Sequence, residues 1–187
     1  MSRIPNATRD TFPPELAYIW DRLAVDQTTP GAEGSPANIF LAMGNNPQIL
    51  RAYLRLANPL WTHCGLDPAT RELVILRAAY VRNSAYEWHQ HVRIGREAGI
   101  SDAQINAVRM YRDSDVLSGR EKALLAFVDA LNVSNHPGQA NWDAVAKHYD
   151  AAAMVGLTIL IAFYFATASF LGTFEVAPEE PFVGWEL

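Results

Sequence analysis

Residues 66–101 read LDPATRELVILRAAYVRNSAYEWHQHVRIGREAGIS and carry the clearest helix signals of the chain. Asp67 and Pro68 form a helix start, since aspartate is a favoured N-cap and proline is well tolerated at the first helical position. We therefore predict one helix over residues 68–82 and a second over residues 84–98. Two helices joined by so short a turn must pack antiparallel.

Two ionisable residues of this helix pair are predicted to meet. Glu72 lies ten residues before the end of the first helix, about 15 Å from the turn, and His91 lies seven residues into the second, about 10 Å from it. The difference is about one helical turn, which a carboxylate side chain or one water can bridge. Glu87 lies four residues before His91 on the same helical face. Two carboxylates and an imidazole suit general acid/base catalysis.

Each of these residues also has a purely structural interpretation. Glu87 is the third residue of a capping box that begins at Ser84, and Glu72 could serve only as a favourable charge in a first helical turn. A histidine on an apolar face, such as His91, is often a hydrogen-bonded core residue. His89 lies on the other side of its helix, which indicates a surface or subunit-contact residue. Spacing alone therefore leaves the function open.

Apolar residues recur at helical spacing along the rest of the chain, and no alternating strand pattern is present. We predict an all-α fold of about eight helices in a single domain that spans residues 1–187. Capping boxes at Ser101 and Ser118 indicate two further helix starts. The helices outside the central pair are expected over residues 15–24, 38–43, 47–63, 118–133, 142–149 and 151–174.

Residues 151–174 form an uncharged run of 24 residues. By hydropathy the run is a candidate membrane span, yet it contains several polar residues and its flanks carry no cluster of Lys or Arg. We interpret it as a fully buried central helix. In a protein of this size such a helix needs a second subunit to cover its other side, so we expect a homo-oligomer.

Composition narrows the classes of function. The chain has 187 residues, half of them hydrophobic, and a net charge of -5, so it lacks the basic surface that nucleic acid or an anionic membrane requires. Its single cysteine, Cys64, excludes an intrachain disulfide and a CxxC redox pair. The polar amino-terminal residues argue against a secretory signal, and we expect a cytoplasmic protein.

The segment over residues 66–101 resembles the core of the carboxymuconolactone decarboxylase family, which also includes the alkylhydroperoxidase D-like proteins. About 36 residues carry the likeness, and the helical order of residues 39–172 fits the family loosely. The matching features are Arg71-Glu72 at the start of one helix, a Glu-x3-His pattern formed by Glu87 and His91 in the next, and the exit Gly99-Ile100-Ser101.

The two cysteine positions of the family's peroxidase branch are changed in this chain. That branch has Cys-x-x-Cys-x3-His in the second helix, and here Ser84 and Glu87 stand at the cysteine positions. A peroxide-reducing dithiol cycle needs both thiols. The resemblance therefore implies the decarboxylase branch: a trimeric or hexameric protein of the alkylhydroperoxidase D-like fold, with no cofactor and no metal. Residues before about 36 form an N-terminal extension, in which residues 27–36 are interpreted as a lid or a subunit contact.

The resemblance also implies a reaction. Family decarboxylases resemble cofactor-free lyases, in which an unsaturated lactone or enone takes up the electrons when CO2 leaves. On this interpretation His91 is the leading proton donor, Glu87 sets its tautomer and charge, and Glu72 orients it or a water. The same residues could serve loss of formaldehyde or a double-bond shift. We expect a small carbonyl-containing acid from aromatic catabolism as the substrate, and neither nucleic acid nor a membrane as a partner.

Other candidates are weaker. The residues predicted to line the substrate pocket are Tyr86, Trp88, Ile39, Phe40, Met43 and His63. A metal site that adds His63 and Cys64 to the predicted acid/base pair lacks regular ligand spacing. Two other functions stay open: a non-catalytic binding or assembly protein on the same fold, and a degenerate thiol oxidoreductase that uses Cys64.

Overall fold

The structure is a computed structural model that describes residues 2–25 and 34–187. Within these ranges the chain forms nine α-helices and no β-strand, which confirms the all-α prediction. The α-helices are α1 (Ala17–Ala24), α2 (Asn38–Met43), α3 (Pro47–Thr62), α4 (Pro68–Val81), α5 (Ala85–Glu97), α6 (Asp102–Ala107), α7 (Gly119–Val133), α8 (Gln139–Ala146) and α9 (Ala151–Phe174). Short 3-10 segments span Arg9–Thr11, Pro14–Leu16 and Val108–Asp113.

Short-range hydrogen bonds determine where several helices begin. The Asp67 side chain accepts a hydrogen bond from the Thr70 amide at 2.9 Å and caps α4. Ser101 and Ser118 each form the predicted capping box, at α6 and α7. At Ser84 the predicted box does not form, and the side chain makes no cap hydrogen bond to α5. The reason is that the glutamate three residues later turns into the protein interior.

The centre of the fold is α4. All ten residues over 70–79 are buried, because α5, α7 and α9 pack around this helix. The one arginine in the middle of α4, Arg77, is paired: its Nε and Nη2 donate to the two carboxylate oxygens of Asp129 on α7 at 2.7 and 2.9 Å. A helix can be buried on all sides only when its charged groups have such partners.

The uncharged helix α9 packs on α4 and α3 through one side only. It is long and apolar enough to cross a membrane by length and composition, and half of its most apolar stretch is buried within the fold. On its other side Val155 and Ile159 are 65% and 43% exposed. The predicted central position is wrong, because α4 occupies it and α9 flanks it; burial of the other side of α9 depends on the predicted second subunit.

The C-terminal residues 176–187 lie across the outer side of α5. Glu179 in this tail accepts hydrogen bonds from the Tyr86 hydroxyl at 2.9 Å and from the Asn38 amide at 2.6 Å. The first contact reaches α5 and the second reaches the start of α2. The tail thereby joins these two helices beside the face of α5 that carries the predicted acid/base residues.

The N-terminal extension packs against the core where the structure describes it. Phe12 and Leu16 are buried in a cluster that includes residues of α2 and α3. The interpretation of residues 27–36 as a lid or a subunit contact stays untested, since residues 27–33 lie outside the described residues.

Candidate active site

The turn between α4 and α5 brings the predicted pair into contact. At this turn Asn83 takes the left-handed backbone conformation with φ of 51°, which asparagine tolerates better than most residues. The two helices then pack along their length, and His91 Nδ1 lies 2.6 Å from Glu72 Oε2. Both side chains are buried. The contact predicted from spacing is a direct hydrogen bond.

Arg71 holds the other oxygen of the same carboxylate. Its Nε donates to Glu72 Oε1 at 3.0 Å, and its Nη1 donates to the carbonyl oxygen of Trp61 at 2.6 Å. The guanidinium also lies over the Trp61 ring, 4.2 Å from the ring centroid. Glu72 is therefore fixed from both sides, and its role exceeds that of a favourable charge near a helix start.

The hydrogen bond to Glu72 also orients His91. With Nδ1 occupied by the carboxylate, Nε2 is the ring nitrogen that remains for a ligand. The imidazole packs edge-on to Tyr164 of α9, with ring centroids 5.0 Å apart, and lies 6.1 Å from the Trp61 ring. These two aromatic rings limit how the imidazole can rotate.

Glu87 is the unusual group of the site. Its side chain is buried, and neither carboxylate oxygen has a hydrogen-bond partner among the described residues. Burial raises the pKa of Glu87 to about 8, and the nearby Ser84 hydroxyl and the positive charge of Arg82 only partly offset this effect. The carboxyl is therefore largely neutral at pH 7.

This placement corrects two interpretations of Glu87. It does not cap α5, because neither of its carboxylate oxygens accepts a hydrogen bond from the helix start. It does not set the tautomer of His91 either, since Glu72 holds the Nδ1 atom. What remains is a buried, mostly protonated carboxyl one helical turn before the imidazole.

A cavity of about 340 Å³ opens beside Glu87 and His91. Its walls come from α2, α3, α5 and α9 and consist mainly of aromatic and aliphatic side chains, with Arg93 of α5 as a charged lining residue. Near one wall the hydroxyl oxygens of Tyr53 and Thr167 lie 3.1 Å apart, and burial raises the pKa of the Tyr164 phenol well above its usual value. The volume and the aromatic lining suit a small organic molecule.

Three of the six residues predicted to line the pocket do so: Ile39, Phe40 and Tyr86. Tyr86 is also held in place from outside, because its hydroxyl donates to Glu179 of the tail. Burial and this carboxylate together raise the pKa of the Tyr86 phenol, so it is neutral at any ordinary pH.

The other three predicted pocket residues lie elsewhere. Trp88 is fully buried on a different side of α5, where its Nε1 donates to the Gly184 carbonyl of the tail at 3.0 Å. Met43 borders a separate groove between α3 and α9. His63 follows the exposed end of α3, with its Nδ1 2.6 Å from the Thr62 hydroxyl. Trp88 misses the cavity because neighbouring residues of a helix lie about 100° apart around its axis.

Cys64 is buried and does not line the cavity. Its backbone instead lies against Gly156 of α9. Within residues 2–25 and 34–187, no group of three or more His, Cys, Asp or Glu is arranged to hold a metal ion. His89 contacts the tail rather than the cavity, and its Nδ1 accepts a hydrogen bond from the Val183 amide at 3.2 Å.

Several site residues were missed from the sequence. Arg71 belongs to the quoted motif, and its position next to Glu72 could have predicted the ion pair between them. Trp61 lies on the helix just before the motif, and Tyr164 lies on α9, far from the motif along the chain. The sequence shows that both residues lie on apolar helix faces, but it does not show that these two side chains contact the His91 imidazole.

Comparison with known proteins agrees with the geometry. The model of the carboxymuconolactone decarboxylase family matches residues 47–130, which hold α3 to α6 and most of α7. The resemblance of residues 66–101 to this family is thereby confirmed. A search of curated proteins finds no match.

Solved structures share the fold. An uncharacterized peroxidase-related protein from Ralstonia eutropha JMP134, described as an alkylhydroperoxidase AhpD core, is 19% identical with a TM-score of 0.81, covering 97% of this chain and 94% of that one. A peroxidase-related protein from Silicibacter sp. TM1040 is 16% identical with a TM-score of 0.78, covering 98% and 96%. The debrominase Bmp8, solved with 2,3,4-tribromopyrrole, is 17% identical with a TM-score of 0.77, covering 95% and 92%. At these identities the likeness shows the fold alone.

Proposed function

Because residues 47–130 carry the carboxymuconolactone decarboxylase family match, we propose that this chain is an acid/base lyase or isomerase. Its substrate is a small unsaturated lactone or keto acid, which itself takes up the electrons of the broken bond, as in the family's decarboxylases. One observation carries the proposal: the buried Glu72–His91 hydrogen bond and the unpartnered Glu87 carboxyl open on one cavity. Decarboxylation is the leading reaction.

His91 binds the oxygen on which negative charge develops. When the bond to CO2 breaks, its electron pair moves into the conjugated carbonyl system and forms a dienolate. The His91 Nε2 position, oriented through Glu72, suits a hydrogen bond to that oxygen. Arg71 in turn keeps Glu72 in place. This chain of three side chains leaves little freedom for reorientation during the reaction.

Glu87 supplies the proton to carbon. A carboxyl that is neutral near pH 7 is an acid ready to donate, whereas an ordinary glutamate has already lost its proton. After the transfer the dienolate carbon carries the proton, CO2 has left, and the Glu87 carboxylate regains a proton from solvent. The sequence had suggested His91 as the leading donor; the burial of Glu87 favours the carboxyl.

The test uses two histidines of the same helix. The purified protein is incubated with a panel of aromatic-pathway lactones and keto acids, and CO2, formaldehyde and product are measured by mass balance. We expect His91→Gln to lower turnover by at least about 100-fold, the range for loss of one group that stabilises a developing oxyanion. His89→Gln, which lies outside the cavity, serves as the matched control and should retain activity. Equal turnover of both variants and the wild type would refute the proposal, as would tight ligand binding without product.

We also propose that the chain forms a homo-oligomer through α3 and α9. An apolar groove of about 500 Å³ runs between these helices, and four large apolar side chains along them are exposed: Ile49, Leu56, Val155 and Ile159. Exposed apolar surface of this kind is typical of an interface. Light scattering should show an oligomer for the wild type and a smaller species for Ile159→Asp. A wild type that is monomeric at micromolar concentration would contradict this.

A further inference from the structure

A second, larger groove adjoins the candidate active site. It has a volume of about 690 Å³ and lies between α1 and α3. Phe40, Leu54, Ala57 and Trp61 line both this groove and the cavity beside His91, so the two spaces share a wall. A ligand that occupies the cavity can therefore extend into the groove.

Three arginines line this outer groove: Arg22 of α1 and Arg51 and Arg55 of α3. Arg51 and Arg55 are four residues apart and lie on one face of the helix. In the described part of the chain, none of the three forms a hydrogen bond, ion pair or ring contact. Every other arginine of the chain has such a partner.

The groove thus gathers positive charge on a chain whose net charge is -5. Guanidinium groups match carboxylates and phosphates through paired hydrogen bonds, and three of them around one groove attract an anion. The inner cavity differs from the groove: its walls are mainly apolar, the Glu87 carboxyl is mostly neutral, and the arginine that lines it, Arg93, is paired with Glu97. A ligand that fits both spaces has an unsaturated reacting end in the cavity and a separate, second anionic group in the groove.

The geometry points to a specificity subsite: we propose that Arg22, Arg51 and Arg55 bind a non-reacting anionic group of the substrate, a carboxylate or a phosphoester. This inference rests on the proposed function and narrows its substrate class. Arg55 lies six residues before Trp61 on α3, about 9 Å along the helix axis. Since the Trp61 ring lies 6.1 Å from the His91 ring, we expect an elongated substrate whose anionic group is roughly 10 Å from the reacting end.

Such a subsite contributes to the reaction from a distance. Binding energy from the anionic group holds the reacting end beside Glu87 and His91, where the bond breaks. The recognised anionic group and the carboxylate that leaves as CO2 are therefore two different groups of the substrate.

The test compares two ligands that differ only at the far end. Calorimetric titration at low salt measures the Kd of 4-carboxycinnamate, an unsaturated acid with a distal carboxylate, and of cinnamate, which lacks it. We expect the wild type to bind 4-carboxycinnamate about tenfold more tightly. Arg51→Gln and Arg55→Gln should each weaken its binding about fivefold and leave cinnamate unchanged. Lys147→Gln removes an exposed charge outside the groove and is the matched control. Raising the salt concentration should reduce the tenfold preference.

Further arms separate the outcomes. Inorganic phosphate and acetate are each tested as competitors of 4-carboxycinnamate binding. If phosphate competes at concentrations where acetate has no effect, the anionic group of the substrate is assigned to a phosphoester. If both compete equally, it is assigned to a carboxylate. His91→Gln should keep the preference for 4-carboxycinnamate, so loss of chemistry and loss of anion binding are distinguishable. Equal affinity of the wild type for the two acids, an unchanged preference in the arginine variants, or no binding of either acid would overturn the proposal.

Discussion

Replacing Glu87 by glutamine tests the most unusual feature of the site, its buried neutral carboxyl. The pKa of Glu87 rises from an ordinary 4.5 to about 8 because the side chain is buried. Between these pH values the unfolded chain releases a proton that the folded protein keeps. The wild type therefore loses stability as the pH rises from about 4.5 to 8, and the change then levels off.

The magnitude follows from the two pKa values. Each pH unit in this window lowers the free energy of unfolding by about 1.36 kcal/mol, which gives roughly 3 kcal/mol between pH 5 and pH 7.5. Glutamine has nearly the same size and does not titrate, so Glu87→Gln avoids this loss. We expect the variant to gain about 3 kcal/mol relative to the wild type over that pH interval, with turnover abolished.

The assay is urea unfolding of both proteins at pH 5 and pH 7.5, with Glu180→Gln as the control, since Glu180 is an exposed glutamate of the tail. The control should show no such pH-dependent gain. Activity of the wild type should fall as the pH rises through about 8, where Glu87 loses its proton. A stability difference between Glu87→Gln and the wild type that is the same at both pH values would refute the reasoning.

Two further predictions concern packing and buried charge. Gly156→Ala should destabilise the protein by about 1–3 kcal/mol or more, because a Cβ at this position overlaps the backbone of the segment after α3. Gly172→Ala in the same helix is the control: its Cβ meets no atom within 4 Å, so the variant should be neutral or stabilising. Thermal unfolding compares the two variants, and equal melting temperatures would contradict the prediction. Arg77→Met should lower the free energy of unfolding by about 3–5 kcal/mol, since it leaves a largely buried Asp129 without its two-point partner. Arg112→Met removes an exposed partner of the same carboxylate and should lower the free energy of unfolding by less than about 1 kcal/mol in the same urea titration. Similar losses in the two variants would show that the buried Arg77–Asp129 pair stabilises the protein no more than the exposed one.

The sequence was informative wherever the signal is local. The caps at Asp67, Ser101 and Ser118 were predictable because each is made within four residues along the chain. The contact of Glu72 with His91 followed from helix rise and a short turn, which fix relative position without further knowledge. The family motif is carried by the same 36 residues.

The prediction failed where distant segments compete for a position. The uncharged composition of α9 indicated the central helix, yet α4 lies at the centre, because its charged residues find partners on α3, α5 and α7. Trp88 looked like a pocket residue, and the C-terminal tail receives it on another side of α5. The contacts between the tail and α5 join residues about 90 positions apart, and the periodicity of apolar residues does not predict them.

The all-α fold, the helix pair and the meeting of Glu72 with His91 could be predicted from the sequence, because helical geometry and capping act over a few residues. The packing of distant helices, by contrast, makes Glu87 a buried acid rather than a helix cap and places three arginines, which have no partner among the described residues, along the next groove. A pKa depends on how much water and charge surround a group, and that is set by the helices that pack there. The protonation state of Glu87 therefore depends on the tertiary structure and not on the local sequence.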